Sequence, residues 1–176
     1  MSDQAWLKST VRWLAAGLEV SALGGLLAIG LMVVLSGFSG MPWYSYGNLF
    51  ATGVYPPTIL DARTGYWTLT GFALAFLYFV STGLVFALVF RSRRRGVGPH
   101  LAGVAYALAL FMAGDRLWWQ SFSPYIVIYG IHSHLMWGHV LFGATLGLIS
   151  RRRARRDPAL IQATVEPQAD SFAGVN

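Results

Sequence analysis

Apolar residues run almost unbroken over residues 14–38, 66–90, 101–119 and 131–149, and charged residues collect in the intervals between them. Each run meets the roughly 20 residues that a helix needs to cross the hydrocarbon layer. A helix also satisfies its own backbone hydrogen bonds inside lipid. The pattern therefore predicts an all-α polytopic membrane protein, with four transmembrane helices forming one domain over residues 1–156. The first run reads as a span rather than a cleaved signal, since it is long and no A-x-A-like site follows it.

Local punctuation refines the elements. Gly98-Pro99 suits the first turn of the third helix, and Ser123-Pro124 supplies an N-cap followed by Pro at the first helical position. The fourth helix is then expected to run from Pro124 to Arg151, roughly 40 Å at 1.5 Å per residue, or to be broken in two at Gly130. The short link Arg91–Gly98 makes the second and third helices antiparallel neighbours. Between the first two spans lies a long segment, Ser39–Gly65, with Pro42, Trp43, Tyr44, Tyr46, Phe50, Tyr55, Pro56 and Pro57. Trp and Tyr favour the headgroup level, so Pro42–Phe50 is expected along the outer membrane surface or as a cap on the bundle. Whether this loop is interfacial or re-entrant stays open, as does its use as a plain aromatic belt or a partner surface. Residues 157–176, with Pro158, Glu166, Pro167 and Asp170, read as a flexible polar tail.

Composition supports the membrane assignment. The chain is 55% hydrophobic and 11% charged, with a mean hydropathy of +0.52; soluble domains carry about 25% charged residues. A net charge of +6 would suit nucleic acid, but position gives a simpler account. Of 13 basic residues, all except Arg63 and Arg116 flank the same ends of the four runs: Lys8, Arg12, Arg91, Arg93, Arg94, Arg95, Arg151, Arg152, Arg153, Arg155 and Arg156. The positive-inside rule then places both termini in the cytoplasm and two loops outside. The bilayer is the implied partner and nucleic acid is not. Zero Cys excludes disulfides, thiolate metal sites and thiol redox chemistry in this chain.

Intramembrane ionisable groups cost about 2.5–3.5 kcal/mol each on insertion scales, so they carry the functional information. Counting from the cytoplasmic ends at 1.5 Å per residue places His139, Asp115 and Tyr78 at roughly 18, 21 and 20 Å. A buried cluster of Asp115, Arg116, His139 and Tyr78 is therefore expected, with Arg116 turned about 100° from Asp115. Such a cluster is either helix-locking glue or a proton or ligand site near the outer leaflet. Glu19, within the first span, is a second intramembrane carboxylate, with Thr82, Tyr106, His100 or Arg12 as candidate partners. It is an interfacial carboxylate or a protonatable one, as in the first of the four helices of small multidrug transporters, a likeness of layout alone.

On the fourth helix His132, Met136, His139, Gly143 and Gly147 share one stripe, and Gly143–Gly147 is a GxxxG step that packs inside the bundle or against a second copy. His132 and His134, on the outer side, are two residues apart and so face opposite ways. That spacing is poor for a metal on a helix. His100 lies at the other depth from these imidazoles, which gives no bis-His haem pair. No cofactor is expected, while haem, quinone and metal stay as alternatives.

The layout, with Met41-Pro42-Trp43-Tyr44-Ser45-Tyr46 after the first span and His134-Leu135-Met136-Trp137-Gly138-His139 in the fourth, resembles small uncharacterised bacterial four-span inner-membrane proteins. The resemblance implies an inner-membrane location and no activity. The chain holds no Walker loop, G-x-S-x-G, H-E-x-x-H or Rossmann fingerprint, which favours a non-catalytic role. Three functions fit: an accessory or assembly subunit or homo-oligomer, packed on other membrane subunits; a small proton-linked transporter or channel using Glu19 or Asp115 and His139; or a redox or metal-dependent enzyme built on the outer His cluster.

Overall fold

The computed structural model describes residues 3–90 and 97–155. The chain is all-helical, with no strand among the described residues. The expected tail 157–176, Arg156 and the basic link 91–96 lie outside them. Two helices, over Thr10–Phe38 and Tyr66–Val89, are long and apolar enough to cross a membrane.

The first helix, α1 (Asp3–Phe38), ends where Gly40 adopts φ +72° and the Met41 amide turns back to the Ser36 carbonyl at 2.9 Å. The left-handed region costs a residue without Cβ little. The segment that follows is more ordered than an irregular loop. It folds into α2 (Ser45–Ala51) and a 3₁₀ turn, Pro57–Leu60, before α3 (Tyr66–Val89). Asn48 organises it: its Nδ2 donates to the Ile59 and Ala62 carbonyls at 3.0 and 2.9 Å, and its Oδ1 accepts from Thr68 Oγ1 at 2.6 Å. These bonds hold α2 on the outer end of α3 with Tyr46, Leu49 and Phe50 buried.

The other two apolar runs are interrupted, which corrects the expectation of plain helices over 101–119 and 131–149. Helix α4 (Gly98–Ala113) passes into a π turn, Gly114–Trp118, and on into α5 (Trp119–Phe122). After buried Ser123, bonded through its hydroxyl to Thr52, the chain makes α6 (Pro124–Tyr129). It is extended at Gly130 and Ile131, so of the two expected forms of the fourth element the broken one is found. Helix α7 (His132–Leu146) stops at Gly147, and α8 (Leu148–Arg155) completes the described chain.

Helices α3, α1, α7 and α4 follow one another around the bundle, each packed closely on the next. The seam between α7 and α4 is the tightest in kind: a Cβ on Gly103 would strike the Gly143 carbonyl, and one on Gly143 would meet the Gly103 carbonyl at 2.6 Å. Gly147 leaves room for His100, whose Nδ1 donates to the Ala144 carbonyl at 2.7 Å. The GxxxG step is thus occupied inside the bundle. The ring does not close in the same way between α3 and α4. Despite the short link between them their backbones stay apart, because large side chains stand in between. Phe86, Phe90 and Tyr106 fill the half of that seam next to the C-terminal end of α3, and Tyr106 Oη donates to the Thr82 carbonyl at 2.8 Å.

Candidate functional site

Above those rings the seam between α3 and α4 is open. A cavity of about 610 Å³ lies there, walled by Leu74, Leu77, Tyr78 and Ser81 from α3, by Leu110, Ala113 and Leu117 from the α4 run, and at its outer end by Phe50, Trp119 and Phe122. Leu77 and Leu117 are 60% and 75% exposed, so the cavity opens sideways between the two helices. Its volume lies within the range of small-molecule pockets, roughly 300–1,000 Å³. The walls are apolar apart from a few hydroxyls, of which Tyr78 is the deepest set.

Tyr78 Oη reaches His139 Nε2 at 3.2 Å. His139 is 4% exposed, and its Nδ1 lies 2.8 Å from the Leu135 carbonyl one turn back. A carbonyl can only accept, so Nδ1 carries the proton. In the uncharged ring Nε2 is then the acceptor and Tyr78 the donor. The rings of Phe79 and Phe111 flank the imidazole with centroids 5.4 and 5.5 Å away, which fixes its plane.

Asp115 occupies the π turn. The Trp119 amide bonds back to the Gly114 carbonyl, five residues earlier, and Gly114 lacks the Cβ that would meet the Trp119 indole Nε1 at 2.7 Å. A π turn admits one extra residue and changes which way its side chains face. Asp115 Oδ1 consequently pairs with His132 Nε2 at 3.1 Å, and the pair is half-exposed. This corrects the expected direct partnership of Asp115 with His139. The two remain neighbours across a void of about 10 Å³ that both line, together with Tyr78, the room that one water molecule needs.

The remaining candidates stand apart. Arg116 is exposed and takes no part in the cluster. Glu19 is on an exposed face of α1, and Thr82, Tyr106 and His100 make hydrogen bonds to backbone carbonyls. His134 is buried with Nε2 3.1 Å from Ser39 Oγ, so it and His132 do face opposite ways. Among the described residues no three His, Asp or Glu side chains converge as metal ligands. Sequence reasoning gave no role of its own to Trp119, which walls both the cavity and the void, because an aromatic residue in an apolar run carries no signal beyond hydrophobicity. Phe50, read as part of an aromatic belt or partner surface, walls both as well. Tyr46, read in the same way, is buried in α2, where burial pushes the hydroxyl up to about 12 and the Ile131 backbone amide offsets part of that shift.

The chain matches no family model, no curated protein and no solved structure. Its function rests on the geometry just described.

Proposed function

We propose that the chain is a four-span integral protein of the bacterial inner membrane, with both termini cytoplasmic, and that it is a small proton-linked transporter. The spans are α1, α3, the α4–α5 run, and α7 continued by α8. The basic residues at the ends of α1 and α8, Arg12, Arg151 and Arg152 among them, support the cytoplasmic side.

One observation carries the proton-linked reading: Asp115, paired with His132, and the bonded pair His139–Tyr78 line one small void with room for a water. When the Tyr78 O–H turns from Nε2 toward the cavity between α3 and α4, the Nε2 lone pair is free to take a proton passed from the half-exposed outer pair through a water in that void. The ring, then protonated at both nitrogens, donates from Nε2 to Tyr78 Oη. As the hydroxyl passes its own proton to an acceptor in the cavity, Oη takes the one on Nε2 and His139 returns to its neutral form. The groups around His139 leave this route unbranched. Tyr78 comes from α3 and Asp115 from the π turn, while α1 offers Met32, α2 Phe50 and α4 Phe111, none ionisable. An accessory or self-associating role would need another surface, since Gly143 and Gly147 are covered by α4.

The test is reconstitution into vesicles of native lipid extract with a pH-sensitive dye inside. The wild-type chain is expected to dissipate an imposed pH gradient severalfold faster than Asp115→Asn or His139→Gln. Equal rates for all three would reject the reading. Because the chain lacks Cys, single cysteines at Thr58 and Arg152 check the topology. An impermeant maleimide should label the first from outside and the second only after permeabilisation.

A further inference from the structure

We infer that the cavity between α3 and α4 binds a bilayer-dissolved lipophile with a hydroxyl on an aromatic head, the chemistry of a hydroquinone on an aliphatic chain. The inference deepens the reading above and rests on it for the part played by Tyr78.

Three features select this guest. The first is access. The cavity is entered between two membrane-facing helices past Leu77 and Leu117, both largely exposed, so its ligand arrives from the hydrocarbon layer rather than from water. The second is the sorting of its walls. Phe50, Trp119 and Phe122 gather at the outer end beside Tyr78, with Trp119 centroids 6.0 Å from Phe50 and 5.5 Å from Tyr78. Flat faces of this kind favour a ring, whereas leucines and Ala113 along the rest of the cavity suit a flexible chain. The third is the polarity of the hydrogen bond that the site offers. His139 Nδ1 is committed to the Leu135 carbonyl, so Nε2 takes the Tyr78 proton. Tyr78, which walls the cavity, therefore has a lone pair and no free hydrogen to offer a guest there. A guest with an O–H completes that site; a ketone in the same place would meet an acceptor with an acceptor.

Binding is measured by calorimetric titration of the chain in lipid nanodiscs, with empty nanodiscs subtracted, using decylubiquinol kept reduced by dithionite and its oxidised form decylubiquinone. One decylubiquinol is expected per chain, held about tenfold more tightly than the quinone, the worth of one hydrogen bond. Tyr78→Phe should bring the two affinities together, and Ala113→Trp, which fills the cavity, should remove both. Should Ala113→Trp fail to fold, Leu77→Trp fills the space from the opposite wall. Equal affinities in the wild-type chain, no binding of either form, or full binding in the filled variant would each overturn the inference. Binding as expected without gradient dissipation sinks the proton-linked reading alone, and dissipation without binding sinks this one alone.

Discussion

Two seams of the bundle share α4 and differ in what they do with it. Toward α7 the helix presents Gly103 and Ala107, and the backbones meet with only hydrogen atoms between them. Toward α3 it presents Tyr106, Leu110 and, past its end, Leu117, and the helices stand apart over a cavity of about 610 Å³. Inside a bilayer there is little hydrophobic drive to pull helices together, since lipid tails are as apolar as leucine. Shape decides instead. Small residues let a seam close to backbone contact, while large ones at one end hold it open and leave the other end for lipid or a guest.

Four substitutions would break or sharpen that contrast. Phe142 is fully buried where α7 meets α1 and α3, 4.8 Å from the Phe79 ring. Phe142→Ala should cost about 3–5 kcal/mol, whereas Leu117→Ala at the cavity mouth should stay within about 0.5 kcal/mol. Reversible unfolding in mixed micelles measures both, and similar losses would remove the distinction between closed and open seams. Gly143→Leu forces bulk against Gly103 and should cost about 1–3 kcal/mol, with loss of the contact between His100 and Ala144, followed by His100 ring chemical shifts. A stable variant with that contact intact would mean that the closed seam has slack. A modest effect is expected for Tyr106→Phe, which removes the bond to the Thr82 carbonyl. It should cost about 1 kcal/mol and speed amide exchange in the C-terminal half of α3, while leaving the α4 and α7 seam unchanged.

What the sequence told depended on whether the chain stays regular. In unbroken helices, counting 1.5 Å per residue put Tyr78 and His139 at one level, and their side chains are bonded. The Pro124 start and the Gly130 break were readable for the same reason, being local chemistry. The π turn was not readable. It coincides with the Trp119 indole lying against Gly114, and Trp119 in turn meets the rings of Phe50 and Tyr78 on other helices, contacts that no local pattern reveals. With that extra residue Asp115 turned to His132 and the direct pair with His139 was lost. The open seam was hidden as well. A short link between two helices fixes that their ends are near, but only the bulk of Tyr106, Phe86 and Phe90 decides how far the rest diverges. The GxxxG step was visible as a place for close approach, and nothing in the sequence says which helix comes to it.

The π turn also makes the site sensitive to chain length rather than to side-chain identity. A turn of this kind spends one residue more than an α turn, so a chain one residue shorter between Gly114 and Trp118 would run as a continuous α-helix. Every residue on one side of the deletion would swing by about 100° relative to the other. Asp115 and Trp119 would then no longer serve the proposed relay and the cavity wall together, although no chemical group in either had been altered. Alignment gaps at this point are therefore expected to separate chains able to hold the proposed relay from chains that only share its helices.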